Sequence, residues 1–133
     1  MMLQQEQEQE QEQQEQRLED EVDVLFFEIG DRLYGTDASQ VLRIERALPE
    51  DLSVPSLGEL RRGRRALVFS TSQGEAHLKV DVVHAVRPIL IANLRQLPPA
   101  VNAAPFTIGA CLDQTRLVLL IDLVETARTQ GRH

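Results

Sequence analysis

The amino-acid sequence predicts an all-β protein with only short helices. Three pairs of apolar segments support this fold class, and they span residues 24–36, 65–83 and 106–123. In each pair, short runs rich in Val, Leu, Ile and Phe flank a polar or glycine-containing turn, which is the pattern of antiparallel strands. Several short strands with little helical periodicity are typical of a small barrel or sandwich.

Length and composition predict one domain. The chain has 133 residues, of which 42% are hydrophobic, and this is ordinary for a globular protein with a single core. No stretch approaches the roughly 18 uninterrupted apolar residues of a membrane span, and the N-terminus lacks the order of a signal peptide. We therefore expect a cytoplasmic protein without membrane insertion.

The formal charge of −7 is distributed unevenly along the chain. Residues 1–23 carry nine acidic residues against Arg17 alone, whereas residues 24–133 carry twelve acidic and thirteen basic residues. The segment from Gln4 to Gln16 contains only glutamine and glutamate, which have little to bury and do not offset the entropy of ordering. We predict a disordered tail over 1–22, a folded domain over 23–128 and a disordered C-terminus over 129–133.

Two interpretations of the tail remain open. It is either a solvating segment or a charged one that attracts a basic partner or covers basic residues of the same chain.

The first half of the domain predicts strands interrupted by one helix. Residues 24–29 and 32–36 form a hairpin around Gly30-Asp31, and 41–46 form a further strand, although a helical turn fits that spacing equally well. A proline-containing loop follows. We predict a short helix over 56–63, because Ser56 and Glu59 have the spacing of a capping box.

The second half predicts two more hairpins. Their strands are expected at 65–70, 76–83, 106–112 and 116–123, with a terminal helical turn at 124–130. Residues 90–97 have no clear pattern. Asp81 lies between two valines and is expected to be structural, either on the polar face of its strand or accepting a backbone N–H. Asp122 is expected to cap a turn, since a buried carboxylate needs hydrogen bonds.

The residues offer little for catalysis. The histidines are His77, His84 and His133, and none lies at ligand spacing from cysteine or acidic residues. No glycine-rich phosphate loop or nucleophile elbow is present. Cys111 is most simply a small apolar filler in a strand. We therefore predict a protein that is not an enzyme and has no catalytic, cofactor-binding or metal-binding residues.

One dense basic cluster is formed by Arg61, Arg62, Arg64 and Arg65. Three interpretations are open: a solvated helix end whose charges suit the helix dipole, a docking patch for an acidic protein surface, and a phosphate-binding patch of a small nucleic-acid-binding barrel. The last is the weakest, because the chain has only four Phe, one Tyr and no Trp, and none of them lies among the arginines.

The order of these segments resembles the CheW-like domain of bacterial chemotaxis coupling proteins. The resemblance lies in the opening hairpin 25–41, in Ala66-Leu67-Val68 followed by Val80-Asp81-x-Val83-x-x-Val86, and in Ile108-Gly109 followed by Ile121-Asp122-Leu123. No single motif is specific, but together they cover residues 24–127. The shortness of the chain and its arginine-rich stretch are similar to a short branch of that family.

The resemblance implies both a fold and a function. It implies two small five-stranded β-barrels and a non-enzymatic signalling adaptor. The partners it implies are the cytoplasmic signalling domain of a chemoreceptor and the regulatory domain of a CheA-type histidine kinase. A small nucleic-acid-binding barrel is the alternative function.

Two departures from the family bear on partners. The hairpin that the family carries between its proline loop and the strand at Arg65 is missing here, so the first barrel is expected to be incomplete. Together the two departures predict that at least one usual partner is lost, and the kinase is the candidate, although retention of its contact stays open. Removal of two strands exposes an edge, which a homodimer formed by strand exchange would cover. The second departure is Arg43, which stands where similar proteins often have glutamate, so Arg43→Glu is expected to alter partner choice without unfolding. The residues predicted to bind protein partners are Val41, Arg43, Ile44, Arg61, Arg62, Arg64 and Arg65.

Overall fold

The computed structural model describes residues 20–96 and 106–130. Most of the predicted tail, and residues 131–133 of the predicted C-terminus, lie outside this part of the chain. The strands are β1 (Glu21–Ile29), β2 (Arg32–Asp37), β3 (Val41–Arg46), β4 (Arg65–Thr71), β5 (Gly74–Val80), β6 (Val82–Leu90), β7 (Thr107–Asp113) and β8 (Arg116–Ile121), and the helix is α1 (Leu123–Gln130). Short 3-10 turns cover Ala38–Gln40, Pro55–Leu57 and Ile91–Asn93. The all-β prediction is confirmed.

The larger sheet has five strands in the order β6-β1-β2-β8-β7. Adjacent strands of this sheet run antiparallel, except for β2 and β8, which run parallel. The outer strands β6 and β7 approach each other, because Arg87 on β6 and Asp113 on β7 form an ion pair of 2.9 Å. After β6, Arg95 exchanges two backbone hydrogen bonds of 2.9 Å with Ala110 of β7. The sheet is therefore curved like an open barrel, and the described strands do not close it.

The smaller sheet has three strands in the order β3-β4-β5. Between Arg46 and Arg65 the chain forms no strand, and Leu52 alone makes an isolated bridge to Leu78 of β5. This agrees with the predicted loss of a hairpin. The smaller sheet has three strands, whereas the barrel implied by the resemblance has five.

The chain crosses from one sheet to the other at Asp81. The predicted continuous strand over 76–83 is wrong, because β5 ends at Val80 and β6 then pairs with β1 rather than with β4. The backbone N–H of Asp81 donates to Glu28 O at 2.9 Å, and its carboxylate is bound by a different loop. These contacts turn the chain at that residue.

The main core lies between the two sheets. Alternate residues of β1, Leu25, Phe27 and Ile29, point into it and meet buried side chains of the smaller sheet. Phe27 stacks on Tyr34 with ring centroids 5.9 Å apart and an interplanar angle of 26°. The other buried members of this cluster are Val54, Leu57, Leu67, Phe69, Leu78, Val80, Phe106, Ile121 and Leu123.

A second cluster fills the concave side of the larger sheet. It contains Val24, Phe26, Leu33, Cys111, Val118 and Leu120. Cys111 is 4% exposed, and burial raises the pKa of its thiol, which disfavours the reactive thiolate. The prediction that it is a small apolar filler is consistent with this position.

The predicted helix over 56–63 is wrong. Helical structure stops after the 3-10 turn at Leu57, because Gly58 has a φ of +139°. The hydroxyl of Tyr34 donates to Leu57 O, which further holds the chain out of a helix.

The predicted C-terminal helical turn is confirmed as α1. Asp122 caps it by accepting the N–H of Glu125 at 3.0 Å. Within the described residues, no helix is long and apolar enough to cross a membrane.

Candidate protein-binding surface

The four arginines of the predicted cluster lie in a loop and at the start of the strand that follows it, and the loop is organised around one carboxylate. We call residues 61–65 the arginine turn. Asp81 Oδ1 accepts the backbone N–H groups of Arg62 and Gly63, each at 2.7 Å. Both carboxylate oxygens accept the N–H of Arg61 at 3.0 Å. On its other side, Asp81 Oδ2 accepts the N–H of Gly30 at 2.7 Å. The prediction of a structural aspartate that satisfies backbone amides is confirmed.

These hydrogen bonds also set the charge state of Asp81. Burial raises its pKa, but the backbone N–H groups of residues 61–63 and Gly30 together lower it, so that the pKa falls from 3.8 to about 2. The carboxylate is therefore ionised at neutral pH and ties the arginine turn to the turn between β1 and β2.

The arginine side chains point away from this anchor. Arg61 forms an ion pair with Asp31, and all four arginines are exposed. Arg62, Arg64 and Arg65 have no side-chain partner within residues 20–96 and 106–130. The interpretation of these residues as a solvated helix end is wrong, since no helix forms here. Among the described residues, the turn instead presents three arginine side chains without an acidic partner on a backbone that Asp81 holds in place.

The other predicted binding residues lie on β3. Val41 is partly buried against the main core, whereas Ile44 is 42% exposed. The Arg43 guanidinium donates two hydrogen bonds to Glu75 of β5, at 2.8 and 2.7 Å, and a third to Glu45. The bonds to Glu75 and then to Glu45 raise the pKa of Arg43 above its usual range. Arg43 is thus the centre of an ion-pair chain, which the sequence did not predict.

The two groups of predicted residues lie at opposite ends of the β3–β4 pair and do not form one compact patch. Arg65 opens β4 opposite Arg46, and Arg43 faces Val68, three residues further along β4. That separation is about 10 Å along the strand. Leu42 and Leu48, 53% and 50% exposed, lie on or just after β3 and were missed. Glu75 was missed because it was expected in a turn, although the register of the β4–β5 hairpin places it opposite Ser70.

The aromatic side chains are unavailable for stacking on bases. All four Phe and the single Tyr are at most 2% exposed. Because sequence-tolerant binding of single strands relies on exposed aromatic faces, this argues against the nucleic-acid alternative.

The histidines do not form a metal or catalytic constellation in the described part of the chain. His84 Nε2 lies 2.9 Å from Glu28 Oε2. His77 Nδ1 has no hydrogen bond, and the nearest carboxylate oxygens belong to Glu45 and Asp51, at 3.9 and 4.0 Å. Among residues 20–96 and 106–130 no group of three or more His, Cys, Asp or Glu side chains is placed to hold a metal ion.

The two sheets, with the chain crossing from one to the other at Asp81, have the fold of a CheW-like protein. The crystal structure of the scaffolding protein TtCheW from Thermoanaerobacter tengcongensis matches with a TM-score of 0.67 at 20% identity, over 85% of this chain and 97% of that one. The Frizzy aggregation protein FrzB of Myxococcus xanthus is 65% identical over 112 residues, which are 84% of this chain and 100% of FrzB. No protein-family model matches. The chain belongs to the FrzB family, and the resemblance to a short CheW-like branch is confirmed.

Proposed function

We propose that this protein is an adaptor of chemotaxis-type signalling. In this proposal it binds the cytoplasmic signalling domain of a chemoreceptor and modulates the coupling of that receptor to a CheA-type histidine kinase. The observation that carries the proposal is the identity to FrzB along the whole of that protein, combined with the fold of a CheW scaffold.

The proposed contact surface consists of β3 and the arginine turn. Protein interfaces commonly combine a small apolar centre with a polar rim in which arginine is frequent. Leu42 and Ile44 are exposed apolar side chains on β3, and Arg62 and Arg64 supply positive charge nearby. Since Asp81 holds the backbone of the turn, little backbone conformational entropy is lost when the arginines meet an acidic partner.

We further propose that the kinase contact is weaker than the receptor contact. The smaller sheet has three strands, so any partner surface that a longer CheW-like protein builds on two further strands has no counterpart here. A protein of this kind would occupy receptors while recruiting kinase poorly.

Calorimetric titration of the full chain tests this function. We expect measurable binding to a chemoreceptor signalling-tip fragment from the same cell, and weaker or no binding to the kinase regulatory domain. The double variant Arg62→Glu and Arg64→Glu should weaken receptor binding about 10-fold at low salt, because two rim charges are reversed. The loss should shrink as salt is added.

A matched charge reversal distinguishes the site from a general effect of net charge. Arg95→Glu and Arg116→Glu change the charge equally and lie at the larger sheet. Because Arg116 also contacts Glu28 and Asp31 O, thermal unfolding first verifies that this double variant is folded, and it should then bind like the wild type. Equal losses in both double variants would remove the arginine turn from the interface. Silence of the wild type with both partners would overturn the proposed function and leave the fold assignment intact.

A further inference from the structure

The smaller sheet ends in an open strand edge. Its order is β3-β4-β5, so β3 pairs with β4 alone. The opposite edge, β5, is partly occupied by Leu52, whose N–H donates to His77 O at 2.9 Å and whose carbonyl accepts from Lys79 N–H at 2.8 Å. Within the described residues, β3 is therefore the unprotected side of this sheet.

The hydrogen-bond pattern identifies which peptide groups are free. Ala47 N–H donates to Arg64 O at 2.8 Å, which marks these residues as a hydrogen-bonded pair of the β3–β4 ladder. Because such pairs alternate along an antiparallel ladder, the peptide groups of Glu45 and Arg43 also face β4. Those of Ile44 and Arg46 face outward. The side chains of Leu42 and Ile44 beside them are 53% and 42% exposed.

We infer that β3 pairs with β3 of a second copy of this chain, antiparallel and centred on Ile44, so that two three-stranded sheets join into one of six strands. This inference goes beyond the proposed adaptor function and does not depend on it.

Charge complementarity selects the register. A two-fold axis perpendicular to the sheet places one residue of β3 opposite itself, and Arg43, Ile44 and Glu45 are the central choices. Centring on Arg43 opposes two arginines, and centring on Glu45 opposes two glutamates. Centring on Ile44 pairs the two isoleucines and places each Arg43 opposite Glu45 of the other copy. Opposite charges directly across a ladder stabilise it and like charges destabilise it.

The usual protections of an edge strand are weak against this partner. Edge strands commonly carry charges, bulges or proline to prevent pairing. β3 has a bulge between Val41 and Arg43, and it has charges at Arg43 and Glu45. These charges have opposite signs two residues apart and already pair within one chain, and in the Ile44-centred register each also faces an opposite charge of the second copy. The bulge restricts pairing to residues 42–46, and a contact this short should give a concentration-dependent dimer rather than an obligate one.

A charge-swap series on the full 133-residue chain tests the inference by sedimentation velocity. The wild type should show a mass that rises with concentration. Arg43→Glu places a carboxylate opposite Glu45 at two positions, and Glu45→Arg places a guanidinium opposite Arg43, so each variant alone should dimerise about 10-fold more weakly. An equimolar mixture of the two should recover dimerisation, because both cross-strand pairs are again opposite in sign.

Two controls separate this effect from changes within one chain. Arg43→Glu also breaks the contact with Glu75, so Glu75→Gln, which weakens that contact but leaves β3 unchanged, should dimerise like the wild type. Thermal unfolding of each variant verifies that it is folded. Hydrogen exchange supplies the position: amides of Ile44 and Arg46 should become protected as concentration rises, whereas the amide of Ala47 is protected throughout.

Several results would overturn the inference. They are a wild type that stays monomeric at every concentration, a dimer whose protection lies outside β3, and a mixture of the two charge variants that fails to associate. Protection of Ile44 that appears only when a receptor or kinase fragment is added would assign the edge to that partner instead of a second copy.

Discussion

Replacement of Asp81 by asparagine should lower the free energy of unfolding by about 2–3 kcal/mol. The two side chains have the same shape, but an amide has only one acceptor oxygen. In the native protein Asp81 Oδ1 accepts from Arg62 and Gly63, while Oδ2 accepts from Gly30. Whichever way the amide turns, its NH₂ group meets a backbone N–H. The contact between the β1–β2 turn and the arginine turn would therefore be lost.

Urea denaturation of the two proteins checks this value. Asp113→Asn is the matched control, because Asp113 is also a carboxylate with a depressed pKa, but its partner is the exposed side chain of Arg87. Ion pairs of that kind contribute at most about 1 kcal/mol. Similar losses in the two variants would show that Asp81 has no special structural role.

The stabilisation by Asp81 should depend on pH in a defined direction. Its pKa is about 2 in the folded protein, below its usual value of 3.8, so the folded state binds this proton less readily than the unfolded state. The contribution is present above about pH 4 and is lost as pH falls through 2. The stability difference between the wild type and Asp81→Asn should therefore be constant near neutrality and shrink between about pH 4 and pH 2. A difference that grows on acidification would contradict this account.

Replacement of Phe27 by alanine should have the largest effect on stability, about 3–5 kcal/mol. Phe27 is fully buried, stacks on Tyr34 and belongs to the core cluster that both sheets share. Removal of its ring leaves a cavity in the core between the two sheets. Because a domain of this size is typically stable by about 5–15 kcal/mol, the loss is a large share of the total.

Thermal and chemical unfolding followed by circular dichroism measure this effect. Leu112→Ala is the control, since Leu112 is also a large apolar residue on a strand but is 67% exposed, and it should change stability by about 0.5 kcal/mol or less. The Phe27 variant should still unfold in a single transition, because the core connects the sheets. Separate transitions for the two sheets would show that the sheets are stable independently.

Local sequence patterns were sufficient to predict most strands. The β1–β2, β4–β5 and β7–β8 hairpins follow from apolar runs around short turns, and such pairing is decided by neighbours in the chain. The cap at Asp122 could also be predicted, because the N–H group that it accepts belongs to Glu125, three residues further along the chain. In the candidate site, the exposure of the four arginines is consistent with the predicted docking patch, although their role in binding stays a prediction.

The errors in the prediction arise where a distant residue outweighs a local preference. The capping-box pattern at Ser56 and Glu59 favours a helix, but Asp81, about twenty residues later, takes the backbone N–H groups of the arginine turn. A helix there would need those same groups. Likewise, the valines around Asp81 favour a continuous strand, but hydrogen bonds to Asp81 turn the chain.

The sequence by itself determined the all-β class, the concentration of acidic charge in residues 1–23 and the resemblance to CheW-like proteins, because these depend on composition and on patterns within short segments. Only the tertiary structure decided that Asp81 joins two turns, that Arg43 is paired with Glu75, and that β3 is an open edge among the described strands. Each of these depends on which residues meet after the sheets have formed, and residues far apart in sequence meet only through the packing of the whole domain.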